Sequence, residues 1–298
     1  MIYRRLTLFC ALAFFPLVQA GAQPAKVAAI EMSAETRLPH ISIKEVGSGA
    51  PIVLIPGLAS PRDVWSGALP ELARGRRVIL VQVNGFAGDD PGANRDEDIL
   101  PGIVEHVASY LRSRNIEEAA IIGHSMGGLI GMMLTRQHTD LVGRLMVVDA
   151  LPFFGMLFGP TATADTVRPV AGQMRSAIIA GTAPTEAPPN MSLSDAGRLK
   201  VTNWLRAADR TVVGQALYED FVTDLRPVLS QVQAERVHIL YGVPSEALAA
   251  MAHDLYGAAY RSLPGARLVP IEGSAHFIML DQPERFAELL RGFLGEAR

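Results

Sequence analysis

Ala119-Ala120-Ile121-Ile122-Gly123-His124-Ser125-Met126-Gly127-Gly128 is the stretch on which the fold turns. Its first four residues read as a buried strand, and residues 128–138 read as a helix. Between them one serine stands flanked by glycines. A G-x-S-x-G bend at a strand-to-helix junction forces the serine into a strained backbone position and lifts its hydroxyl clear of the sheet end. Glycines at 123 and 127 let strand and helix approach without Cβ clashes. The motif alone is weak, because glycine and serine are common; the strand-turn-helix setting gives it weight.

Outward from this bend, apolar runs recur along the chain. Pro51-Ile52-Val53-Leu54-Ile55, Val78-Ile79-Leu80-Val81-Gln82-Val83 and Leu145-Met146-Val147-Val148 read as buried parallel strands, as do Val237-His238-Ile239-Leu240-Tyr241 and Arg267-Leu268-Val269-Pro270-Ile271. Ile41-Ser42-Ile43-Lys44-Glu45-Val46 alternates with period two, as a half-buried strand does. Val27-Ala28-Ala29-Ile30 is a candidate edge strand. Helical spacing predicts helices over 63–74, from Asp98 as N-cap to about 114, over 128–138, over 248–263 and over 283–294. Strands alternating with helices predict an α/β fold, with a mostly parallel central sheet and helices on both faces. Residues 151–232 carry no strand-like run. They open on Phe153, Phe154, Met156, Leu157 and Phe158, and a turn-rich patch over 181–190 interrupts them. This is the pattern of a mostly helical cap inserted between two core strands. Phe153, Phe154 and Phe158, just past a strand end, are the candidate pocket residues.

Composition narrows the function. The chain has 298 residues, 49% of them hydrophobic and 19% charged, with a net charge of −3. A core of that size excludes disorder, and the absence of a basic cluster leaves nucleic acid no electrostatic footprint. Arg4 and Arg5 precede an apolar run over 6–18, which is too short to span a bilayer comfortably, and small residues follow at cleavage spacing. Residues 1–22 are therefore expected to be a signal peptide, leaving a mature chain without a membrane span, exported to the periplasm or secreted. The expected organisation is signal peptide 1–22, core 23–150 and 233–298, and cap 151–232. The single cysteine, Cys10, lies in the leader, so no disulfide, thiol nucleophile or cysteine metal site is expected.

A serine hydroxyl needs a base to take its proton. His276, in Gly273-Ser274-Ala275-His276-Phe277, lies in a loop between the last strand and the last helix, at the same sheet edge as Ser125. The other histidines fall on strands or helices or, like His124, on the bend itself. The base needs a carboxylate to hold its tautomer. Asp149, ending the strand at 145–148, is the favoured acid. Glu246, in the loop after 237–241, is the alternative. An oxyanion would need backbone donors, for which Met126 and Leu58 are the candidates, since Pro56 has no N–H.

Ile55-Pro56-Gly57-Leu58, Gly123-His124-Ser125-Met126-Gly127-Gly128, Gly273-Ser274-Ala275-His276-Phe277 and Asp281-Gln282-Pro283-Glu284-Arg285-Phe286 together resemble the α/β-hydrolase fold superfamily over residues 41–294. The order serine first, histidine last is the order of that superfamily. The resemblance implies a Ser-His-acid esterase-type mechanism with no cofactor; the apolar insertion points to a hydrophobic small-molecule ester, and no metal site is expected. It also implies that in some members the acid follows the strand after the nucleophile helix, where Asp149 stands. Perhydrolysis of haloperoxidase type, lactone or C–C bond hydrolysis on the same residues, and a non-catalytic ligand-binding protein of this fold are the alternatives.

Overall fold

The apolar runs become neighbouring strands of one sheet. A computed structural model describes residues 32–96, 98–233, 236–263 and 265–295. The expected signal peptide, Cys10 and the candidate strand over 27–30 lie outside these. The strands are β1 (Thr36–Arg37), β2 (Ile41–Gly47), β3 (Ala50–Ile55), β4 (Arg76–Val83), β5 (Ala119–His124), β6 (Val142–Val148), β7 (Arg236–Val243) and β8 (Arg267–Glu272). They lie in the order β1-β2-β4-β3-β5-β6-β7-β8. Pairing is parallel from β4 to β8, while β1 and β2 join antiparallel at one side. The middle strands are buried on both faces, which is why they read as unbroken apolar runs rather than alternating ones. β1 is a two-residue strand without a sequence signature.

The helices are α1 (Leu69–Leu72), α2 (Ile99–Ser113), α3 (Met126–Gln137), α4 (Ala164–Ala180), α5 (Asp195–Ala207), α6 (Arg210–Val222), α7 (Glu246–Ala259), α8 (Ile278–Asp281) and α9 (Pro283–Leu294). α3 packs against β5 and β6, and α7 against β7 and β8. Trp65 and Phe286 stack with ring centroids 6.1 Å apart, tying α9 to the loop after β3. Burying a side chain of that size stabilises the fold by about 2–3 kcal/mol. Between β6 and β7 the described residues form three α-helices, α4 to α6, two 3-10 helices at Phe154–Phe158 and Arg226–Gln231, and no strand. α4 and α6 lie against each other, and α6 also contacts α2.

Several local expectations change. The helix expected over 63–74 breaks into a 3-10 turn at Arg62–Trp65 and the single-turn α1, with Gly67 in the break and Pro70 in the first turn of α1. In β2 the residues Ile41, Ser42 and Ile43 are all buried, because Arg62 covers the outer face and donates to Ser42 Oγ. Asp98 does not cap α2 with its side chain: its backbone is left-handed, at φ 63°. The cap comes from the inserted helices instead. The Glu219 carboxylate of α6 accepts from the Ile99 amide at 3.1 Å and the Leu100 amide at 2.8 Å. A carboxylate there satisfies two orphan donors and faces the positive end of the helix dipole.

Candidate active site

Three strand ends hold the candidate residues. β5 ends at His124, and the Ser125 amide continues the ladder by donating to Val148 O at 2.9 Å. One strand over, the Asp149 amide donates to Leu240 O at 2.7 Å. Both residues therefore emerge at the carboxyl edge of the parallel strands, next to one another. Both also carry left-handed φ values, 53° at Ser125 and 49° at Asp149. Such backbone is strained for a residue with a Cβ, and packing must hold it there. At Ser125 the packing is visible in the flanking glycines. A Cβ at Gly123 would strike the carbonyl of Gly127, and one at Gly127 would strike those of Ile55 and Pro56, the latter at 2.6 Å.

His276 arrives from the loop between β8 and α8. Its Nδ1 donates to Asp149 Oδ2 at 2.6 Å. The other carboxylate oxygen accepts from the Gly242 amide at 2.7 Å and from the Tyr256 hydroxyl at 3.1 Å. Since a carboxylate only accepts, the hydrogen sits on Nδ1, and Nε2 keeps a lone pair for a proton. Burial first, then the nearby Asp149 charge, pushes the Tyr256 pKa well above its ordinary value, so the hydroxyl stays a donor. Among the described residues no hydrogen bond joins Ser125 to the His276 ring; such contacts often tighten only when substrate binds.

The His276 loop is clamped from two sides. His124 Nε2 donates to His276 O at 3.1 Å. Burial, then the nearby His276, holds the His124 pKa well below its ordinary value, so that ring is neutral. From the inserted segment, Asn190 O and Met191 O accept from the His276 and Phe277 amides at 3.2 and 2.9 Å. Asp281 accepts from the Ala275 amide at 2.9 Å and from the Leu193 amide at 3.1 Å, so one carboxylate grips both segments.

A cavity of about 910 Å³ opens over these groups, roofed by the inserted helices. Ser125, Asp149, His276 and Leu58 lie in its floor, and Phe154, Trp204 and Phe221 in its largely apolar walls. His124 and His276 are the histidines that reach it. The Leu58 amide has no backbone acceptor among the described residues, and Met126 opens α3, where the first amides have no intrahelical partner. Of the three phenylalanines expected to line the pocket, Phe154 does. Phe153 is fully buried instead, beneath the Arg226 guanidinium 4.4 Å from its ring centroid. Phe158 is half exposed and meets Phe221 edge-on from outside the cavity. Glu246 is exposed in the first turn of α7 and does not line the cavity. A second hollow of about 690 Å³ lies at the opposite, amino-terminal edge of the sheet, by Ala50, Arg76 and Val142, away from all of these residues.

Tyr256 and Gly242 were not foreseen. Their signal was faint: Tyr256 and Tyr260 share a helix face at i, i+4 directly after the strand that neighbours Asp149, and Tyr260 donates to Ala150 O at 2.8 Å.

Comparison with known proteins gives the family. A sequence model of the alpha/beta hydrolase family matches residues 52–289. The chain is 27% identical over 265 residues to a pimeloyl-[acyl-carrier protein] methyl ester esterase of Aeromonas hydrophila, covering 86% of this chain and 99% of that protein. It is 30% identical over 131 residues to a 2-hydroxymuconate semialdehyde hydrolase of Pseudomonas sp. (strain CF600), covering 42% of this chain and 44% of that one. In fold it is similar to an esterase from Exiguobacterium antarcticum, with a TM-score of 0.68 at 20% identity, covering 85% of this chain and 95% of that chain. A parallel sheet with a serine elbow at its carboxyl edge, matched over most of its length by one family, places the chain in the alpha/beta hydrolase family.

Proposed function

We propose that this hydrolase cleaves carboxylic esters through an acyl-enzyme on Ser125. The Ser125 hydroxyl attacks the acyl carbon while His276 Nε2 takes its proton. Asp149 holds the imidazole and balances the charge that forms on it. The negative oxygen of the tetrahedral intermediate turns to the amides of Met126 and Leu58. Each such donor contributes about 3–4 kcal/mol of transition-state stabilisation. The intermediate collapses, His276 returns the proton to the departing alcohol, and water repeats the sequence to free the acid. The observation that carries this reading is the 2.6 Å contact from His276 Nδ1 to Asp149 beside a serine held at φ 53° in the floor of one cavity. The apolar walls support a hydrophobic substrate. The name of the Aeromonas relative supports an ester among the bonds this family breaks.

A fluorophosphonate probe tests the nucleophile. The expected result is one label, on Ser125, and neither label nor ester turnover in Ser125→Ala. Folded wild-type protein that stays unlabelled, or a label on another residue, overturns the reading. Lactones, C–C substrates and peroxide run beside p-nitrophenyl esters separate the activities that share these groups. Export through cleavage after Ala20 or Ala22 belongs to the same proposal, and N-terminal sequencing of protein from the periplasmic fraction tests it.

A further inference from the structure

One carboxyl beneath the cap has no part in the acyl-transfer scheme. Asp220 lies on α6, on the helix face that carries Val213, Leu217 and Phe221 into the cavity wall, and it lines the cavity with them. The residue is 4% exposed. Its Oδ1 is sealed from solvent and has no hydrogen-bond partner among the described residues. Several other part-buried acids are partnered: Glu45 by Arg77 and Tyr110, Asp149 by His276, Gly242 and Tyr256, Asp281 by Ala275 and Leu193. A buried polar group left without a partner destabilises a fold, and leucine would fill the same wall without that penalty. The charged side chains that line the cavity elsewhere, Glu186, Arg206 and Arg210, are exposed, and Arg206 pairs with Glu186 at 3.3 Å. None of them is an ion-pair partner of Asp220.

We propose that Asp220 is a specificity-determining residue whose carboxyl group hydrogen-bonds an uncharged oxygen function, hydroxyl or carbonyl, on the part of the ester that lies under the helical cap. Burial with nothing to offset it raises its pKa well above the ordinary carboxylate value, which favours the protonated form. A neutral carboxyl offers one donor and a carbonyl acceptor, which a hydroxyl satisfies twice and a ketone once. The substrate class is then an ester with an apolar chain carrying a second oxygen, rather than a plain fatty ester or a cationic one. This rests on the ester-hydrolase reading above.

The test is a set of methyl esters followed by titration of the released acid: hexanoate, 3-hydroxyhexanoate, 6-hydroxyhexanoate, 5-oxohexanoate and 6-aminohexanoate. The readout is the ratio of kcat/KM for each substituted ester to that for hexanoate within one protein, so that a general change in activity cancels. Wild type is expected to favour at least one hydroxy or oxo ester by about tenfold or more. Asp220→Leu brings that ratio close to one, and Asp220→Asn, which keeps a donor and an acceptor, retains it within about threefold. Both variants should melt no lower than wild type. The proposal falls if wild type shows no such preference, if Asp220→Leu preserves it, if the ammonium ester is the favoured one and Asp220→Asn abolishes that, or if Asp220→Leu melts below wild type. Turnover of hexanoate with fluorophosphonate labelling at Ser125 but no preference overturns the role of Asp220 alone. No turnover and no labelling overturns the ester-hydrolase reading with it.

Discussion

Replacing Asp149 by asparagine should disable the site through a proton on the wrong nitrogen, and the hydrogen bonds say which way the new amide must turn. One carboxylate oxygen accepts from the Gly242 amide at 2.7 Å. That amide belongs to β7 and can only donate, so the asparagine carbonyl must take this place. The NH2 group then faces His276 Nδ1, where the carboxylate oxygen had accepted at 2.6 Å. Two donors cannot share that contact, so the ring shifts its hydrogen to Nε2 and presents N–H to Ser125 instead of a lone pair. The base is lost while the geometry is kept. By comparison with serine hydrolases whose triad acid becomes an amide, kcat should fall about 10⁴-fold, roughly 5 kcal/mol of barrier. Steady-state hydrolysis of p-nitrophenyl butyrate measures it, with the melting temperature recorded to show that the fold survives. Tyr256→Phe is the control: it removes the 3.1 Å bond to the same oxygen but leaves Gly242 and the tautomer in place. Its loss should stay within about 10–100-fold, the worth of one hydrogen bond to a charged group. An Asp149→Asn enzyme within tenfold of wild type, or a Glu246→Gln enzyme that loses more, would refute the assignment of the acid and the reasoning about its tautomer.

Three further outcomes follow from the packing. Glu219→Ala removes the acceptor of two α2 amides, at 3.1 and 2.8 Å, and should destabilise the protein by about 1–2 kcal/mol in urea unfolding; an unchanged midpoint would mean that water caps α2 equally well. Gly127→Ala drives a Cβ into the carbonyls of Ile55 and Pro56, which are backbone atoms with little room to yield, so a loss of at least about 3 kcal/mol or insoluble protein is expected, and a soluble variant of wild-type melting temperature refutes the close approach. His238 has its pKa lowered to about 4 by burial, then by Arg267 and Arg236, so the unfolded chain takes the proton first as pH falls below 6.5. Wild type should therefore lose stability between pH 6.5 and about 4, with no contribution from this ring above that window, and His238→Gln should lose on the order of 1 kcal/mol less between pH 7 and 5; parallel urea curves for the two proteins would remove His238 from the acid response.

Strands β2 to β8, the bend at Ser125 and the position of His276 in the last loop were legible in the amino-acid order, because each is written by near neighbours. A buried parallel strand needs an unbroken apolar run, and a strained elbow needs glycines two residues either side of its serine. Those requirements act over fewer than about ten residues, within reach of periodicity. Tertiary packing decided the rest, because its partners are far apart in the chain. Asp149 and Glu246 both follow strands that end at the same edge. The Gly242 amide and the Tyr256 hydroxyl converge on Asp149, while Glu246 faces solvent in the first turn of α7. Phe153 and Phe154 are adjacent and chemically alike, yet a 3-10 turn sends one under Arg226 and the other into the cavity. The N-terminus of α2 finds its acceptor 120 residues away on Glu219 rather than beside it on Asp98. Local sequence fixes which backbone shapes a segment can adopt. Only the assembled sheet and its helical roof determine which polar group is left facing which, since burial and hydrogen-bond satisfaction are properties of the whole packed molecule.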